Sequence, residues 1–190
     1  MANVLQSWDA NFPGCAPIGS DLRTAFPERW VRFHYLPGSK RYADSETDIA
    51  AALHRYDVVL DDLNRSRQAV VLVTTGYSDS DRPTRSYPIL SEIDDAAVPW
   101  RTMQMDDAEQ DSTFWHFYAS THGWKPVHLN TLLRLVIDDE LANLLVVAED
   151  CSWVFYPYQG GMDVILGSVR HRDELAQKHA AWIPASVDRL

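Results

Sequence analysis

The chain is short of cysteine, of long apolar runs and of positive charge, and each shortage excludes something. Cys15 and Cys151 are the only cysteines in 190 residues. They allow at most one bridge, and their distant, unpatterned positions fit reduced thiols in a reducing compartment. No stretch approaches the roughly 18 uninterrupted apolar residues of a membrane-spanning helix. The first residues, MANVLQSWDANF, lack a basic region followed by an apolar run, so no signal peptide is expected and a cytoplasmic location is. Lysine and arginine number 17 against 27 aspartates and glutamates, a net charge of −10. That balance argues against nucleic-acid and anionic-membrane binding, which need basic patches, and it permits a basic protein partner. No G-x-S-x-G elbow is present, so serine acyl transfer lacks its usual signature. The G-x-x-x-x-G-K-[ST] phosphate loop is missing too.

What is present suits one globular domain spanning residues 1–190. Hydrophobic residues make up 46% and charged residues 23%, with seven Trp and eight Tyr. Rings in that number suit a sheet–helix core, with some left near the surface where aromatics serve recognition. The stretch NLLVVAEDCSWVFYPYQGGMDVILGS, residues 143–168, predicts a β-meander. Leu144 to Ala148 is a continuous apolar run of strand length. Trp153 to Tyr158 is aromatic and β-branched, Gly160-Gly161 suits a hairpin turn, and Met162 to Leu166 returns.

Residues 1–28, broken by Pro13, Gly14, Pro17, Gly19 and Pro27, read as an irregular lead-in with one helical turn near Asp21 to Ala25. Val31 to Leu36 alternates as a strand. Ser45 caps a helix of about 18 to 20 residues whose stripe includes Ile49, Ala52, Leu53, Tyr56, Val59, Leu60 and Leu63. Further strands are expected at Ala69–Thr74, Trp100–Met105 and Phe114–Ser120, with a loop over Gly76–Pro88. Residues 89–98 are acidic without a clear pattern. Leu129 to Leu141 and the segment after Ser168 predict two more helices, the last with Leu175, His179 and Trp182 inward. Strands adjoin one another in sequence without intervening helices. That pattern predicts α+β: a mainly antiparallel sheet of about five to seven strands with about three packed helices.

Two sets of residues carry candidate functions. Arg32, Lys40, Arg41 and Tyr42 gather around the loop PGSKRY in an otherwise acidic chain, and Asp163 interrupts the apolar MDVIL strand. A carboxylate in that company lies at the sheet surface or meets a cation, with Arg32 or Arg41 the sensible partner. Such a pair would tether the loop to the meander, or the same cluster would hold a small-molecule anion. The other set is acidic and aromatic. Glu92, Asp94 and Asp95, then Asp106, Asp107, Glu109 and Asp111, then Asp138, Asp139 and Glu140 form three acid groups, and Trp100 and Trp115 lie nearby in sequence. The last group falls at the end of a predicted helix, where the dipole disfavours anions. His116, His122 and His128 recur every six residues but fall in different elements, so no metal or other cofactor is expected. No catalytic residue is assigned.

The segments RFHYLPGSKRY (Arg32 to Tyr42) and YPYQGGMDVI (Tyr156 to Ile165), with the helix beginning RDEL (Arg172 to Leu175), resemble a family of bacterial domains of unknown function. The resemblance runs from about Trp30 to the last helix. It implies kinship and supplies no catalytic residues. By analogy, some small acidic bacterial proteins of this general kind act as immunity proteins beside toxins. The expectation is a non-enzymatic protein-binding domain. The alternative is an anion or small-molecule site, or an enzyme, using loop 37–42 with Asp163.

Overall fold

The computed structural model describes residues 2–105, 113–124 and 126–184. The fold is α+β, built on one seven-stranded antiparallel sheet. Its strands are β1 (Trp30–His34), β2 (Val70–Ser78), β3 (Val98–Met105), β4 (Thr113–His122), β5 (Leu145–Ala148), β6 (Trp153–Tyr158) and β7 (Gly161–Leu166), in the order β1-β7-β6-β5-β2-β4-β3. The helices are α1 (Ala2–Asn11), α2 (Gly19–Ala25), α3 (Glu46–Leu63), α4 (Leu90–Ile93), α5 (Pro126–Ile137) and α6 (Val169–Lys178).

Both faces of the central strands are covered, and the sequence shows why β5 is apolar throughout. Val146 and Ala148 point into the core beneath α3 and α5, while Leu145 and Val147 point into a second core on the opposite face. β2 divides in the same way, with Val70 and Leu72 on one side and Val71 and Val73 on the other. A strand alternating with solvent on one face would carry polar residues at every second position.

The first core is made by the two longest helices. Ser45 caps α3 by accepting the Asp48 amide at 3.2 Å, and Ile49, Ala52, Tyr56, Val59 and Leu60 face inward. α5 contributes Leu129, Leu132, Leu133, Val136 and Ile137. Each such side chain contributes about 1.5–3 kcal/mol on full burial. α6 adds Leu175 and ends at Lys178, and a 3-10 turn over Ala180–Trp182 carries on from it.

The second core corrects the expectation of an irregular lead-in. Residues 2–11 form a helix, and Trp8, Phe12, Ala16, Ile18 and Leu22 are buried against the sheet. Trp8 is fully buried, and its indole N–H donates to the Cys15 carbonyl at 2.9 Å. Asn143 fastens this segment to the sheet. Its amide donates to the Pro17 carbonyl at 3.0 Å and to Thr75 Oγ1 at 2.7 Å, and its Oδ1 accepts the Gly19 amide at 3.1 Å. Gly19 is required there, because a Cβ would lie 2.2 Å from the Tyr156 ring. The expected helical turn near Asp21 to Ala25 is α2.

Two further differences have local causes. β2 continues to Ser78 because β4 pairs with it to the end, Ser78 opposite Phe114. The following loop folds back so tightly that a Cβ on Gly76 would meet the Thr84 carbonyl oxygen at 2.0 Å. At the β6–β7 hairpin the positive φ, 105°, belongs to Gly160. Gly161 already stands in β7, and its lack of a side chain answers a different need: a Cβ would lie 2.6 Å from the Phe33 carbonyl oxygen of β1.

Candidate functional site

β1, β7 and β6 lie side by side, which puts Arg32 directly across from Asp163, and Asp163 across from Tyr156. Asp163 faces the second core with Ile165, opposite Met162, Val164 and Leu166. It has no exposed surface. Arg32 grips it with two hydrogen bonds, Nε to Oδ1 at 2.7 Å and Nη2 to Oδ2 at 3.0 Å. Arg23 of α2 approaches Oδ2 at 3.5 Å, and the Tyr158 hydroxyl donates to Oδ1 at 3.3 Å. Trp30 stacks with both guanidiniums, 5.1 Å from Arg32 and 5.9 Å from Arg23.

Burial works against the charge on Arg32, but its hydrogen bonds and attraction to Asp163 outweigh it and leave the guanidinium harder to deprotonate than usual. Burial, then the Asp163 charge, pushes the phenols of Tyr156 and Tyr158 up, so both stay protonated. Both Asp163 oxygens are therefore engaged in a closed arrangement. Such a carboxylate is not free to act as a base on a ligand. Its structural effect is to lock β1 to β7 and to receive α2.

The loop 37–42 does not join this centre. Lys40 pairs with Asp48 at 2.7 Å and Asp44 at 3.1 Å at the start of α3. Those two carboxylates raise the lysine pKa, and the Lys40 hydrogen bond lowers that of Asp48. Arg41 points outward, its guanidinium 5.5 Å from the half-exposed Tyr42 ring, while its carbonyl accepts the Tyr35 hydroxyl at 2.8 Å. Of Arg32 and Arg41, it is Arg32 that meets Asp163, and that tether runs strand to strand.

The acidic candidates separate as well. Asp106, Asp107, Glu109 and Asp111 lie outside the described residues. Asp94 is buried and leaves the surface group to Glu92 and Asp95. Asp138, Asp139 and Glu140 are exposed directly after α5. Arg134 reaches Asp138 at 3.5 Å while holding Glu46 more closely at 2.6 Å. Among the described residues no cation lies within ion-pair distance of Asp139 or Glu140. Asp139 adopts a left-handed backbone, φ 59°, so the chain turns sharply there. Trp100 and Trp115 belong to the other face of the sheet. Trp100 meets Trp8 edge-on at 5.4 Å, and Trp115 meets Tyr77 edge-on at 4.9 Å. Both are partly buried against the second core, in a different layer from α5.

His116 and His122 have separate partners, and the side chain of His128 lies outside the described residues. His116 is buried between Thr102 Oγ1 at 3.0 Å and Ser78 Oγ at 2.8 Å. His122 Nε2 contacts Asp94 Oδ1 at 3.0 Å and Ser120 Oγ at 2.9 Å, while Ser120 donates to Asp94 Oδ2 at 2.7 Å. These are the residue types of a hydrolytic triad in an arrangement that does not make one. A triad aspartate holds Nδ1 and leaves Nε2 for the serine; here one nitrogen faces both, and the serine is buried. Among the described residues no group of three His, Cys, Asp or Glu side chains is placed to hold a metal ion. Burial, then the charge of Asp150, pushes the Cys151 thiol up to about 12, far from a nucleophile's range.

The family described as Domain of unknown function (DUF3885) matches residues 18–186. The chain belongs to that family. The matched span contains every residue of the Arg32–Asp163 centre and the acids after α5, and begins beyond α1. No curated protein and no solved structure matches the chain. The family's description states no activity, so function rests on geometry.

Sequence reasoning reached Arg32 and Asp163 but missed Arg23, Trp30, Tyr156 and Tyr158 around them. A signal for the tyrosines existed, since Y-P-Y in a strand places both on one face and Asp163 follows across a tight hairpin. Arg23 gave none, because α2 reaches β7 through tertiary packing alone.

Proposed function

We propose that this chain is a non-enzymatic protein-binding domain, cytoplasmic and bacterial, which captures a basic partner in the manner of an immunity protein. One observation carries the reading: Asp139 and Glu140 stand exposed just past the C-terminal end of α5, with no cation within ion-pair distance among the described residues. The helix dipole opposes anions there by a few tenths of a kcal/mol each. Acids kept at a place where they weaken the fold, in a chain of net charge −10, suit the steering of a cationic partner. The anion-site alternative has less support, because Arg32 and Lys40 are already held by the chain's own carboxylates.

The experiment is affinity capture with the whole chain, identification of the retained protein, and stopped-flow association with that protein purified. A basic partner is expected, and its association should slow about ten-fold or more between low and high ionic strength. An acidic partner, or equal rates at both salt concentrations, would contradict the reading.

A further inference from the structure

A cleft of about 710 Å³ opens between the end of α3 with its following loop, the β5–β6 turn and α6. This is the size of ordinary ligand sites, large enough for side chains of an entering segment. Its buried lining is mostly apolar: Ala148, Trp153, Leu166 and Leu175 each keep 7% of their surface exposed, with the polar Asn64 among them. Its rim is charged and unbalanced, with four carboxylates (Asp62, Glu149, Asp150 and Glu174) against the fixed cations Arg65 and Lys178.

The two cations are directed at one acid. Lys178 contacts Asp62, and Arg65 lies 3.9 Å from the same carboxylate. Glu174 has Arg170 at 2.8 Å along α6. Glu149 and Asp150 are different. Both are exposed in the β5–β6 turn, and among the described residues neither has a cation within ion-pair distance. Asp150 Oδ1 accepts the Ser152 amide at 2.9 Å, which fixes the carboxylate at the lip.

A mostly apolar lining beside two adjacent carboxylates suits a ligand with a long aliphatic stem and a cationic end. Arginine matches best: its three methylenes lie along hydrocarbon, and its planar fork meets a carboxylate through two hydrogen bonds. We infer that this cleft seats an arginine-bearing segment of the basic partner, with Glu149 and Asp150 receiving the guanidinium. The inference rests on the protein-binding reading and gives it a place of contact. The acids after α5 act at a distance on encounter; the cleft holds what arrives.

The test uses the full chain and a fluorescently labelled hexa-arginine peptide, with binding read by anisotropy. Two variants address the cleft. Glu149→Gln with Asp150→Asn removes charge and keeps acceptor oxygens, and Ser66→Trp fills the opening from an exposed rim position without changing charge. Each should weaken hexa-arginine binding by about five-fold or more, while Asp139→Asn with Glu140→Gln changes it by less than about two-fold. Melting curves matching the wild type establish that the variants fold. If hexa-arginine binds but neither cleft variant weakens it, the cleft assignment is overturned while the basic-partner reading stands. If the wild type does not bind hexa-arginine at all, the cleft assignment also falls, and the basic-partner reading is then decided by its own salt dependence.

Discussion

Asp163 and Asp139 are both carboxylates of an acidic chain, and the fold treats them in opposite ways. Asp163 is sealed under α2 with Arg32, Arg23 and Tyr158 on its oxygens. Asp139 stands in solvent after α5, on a left-handed residue, with no cation in reach among the described residues. Removing water from a charge is costly, so a buried carboxylate persists only with complete pairing; an exposed one needs no partner and is left to act outward. The contrast divides the molecule. Its paired charges build architecture, and its exposed acids without a cation do not.

The sharpest way to break that contrast is Asp163→Asn. It leaves Arg32 buried without its anion, and urea unfolding should show a loss on the order of 3 kcal/mol. A loss below about 1 kcal/mol would place the pair with ordinary surface pairs. Gly161→Val attacks the same region through the backbone. The added side chain meets the Phe33 carbonyl oxygen of β1, so a loss of about 1–3 kcal/mol is expected in the same assay, and an unchanged midpoint would remove the close approach of β7 to β1.

Asp62 lies between the two extremes, only partly exposed at the end of α3 with His179 at 2.8 Å and Lys178 beside it. Burial raises its pKa, but the hydrogen bonds from Lys178 and His179 outweigh burial and leave it below the usual 3.8. A carboxylate with a depressed folded pKa adds stability above its unfolded pKa and loses it as pH falls through the folded value. Asp62→Asn should therefore destabilise the protein near neutral pH and flatten the decline on acidification below about pH 4. An acid limb identical in wild type and variant would contradict the pairing.

The smallest expected effect has the opposite sign. Asp139→Asn with Glu140→Gln relieves the clash with the α5 dipole, and asparagine tolerates the left-handed backbone. Stability should rise by a few tenths of a kcal/mol. A measurable loss would mean that these acids serve the fold.

How legible all this was depends on the reach of each signal. α3 and its cap, the meander and the antiparallel sheet were readable because periodicity and turn residues act within a few positions. Asp163 stood out because one charge interrupts an apolar strand. The lead-in was misread because its prolines and glycines are local, while its cause lies elsewhere: Asn143 binds Pro17 and Gly19 across 126 and 124 positions. Asp94 was grouped with Glu92 and Asp95 by adjacency, yet its partners Ser120 and His122 lie 26 and 28 positions on. The cleft draws its walls from four separate stretches of chain, and no window of sequence contains it.

The most direct test of an outward role for the acids without a cation is the association rate of the captured partner with the variant Asp139→Asn, Glu140→Gln at low ionic strength. Steering predicts a rate several-fold below the wild type, a difference that closes in high salt, with dissociation nearly unchanged. A variant that associates as fast as the wild type in low salt would contradict the account.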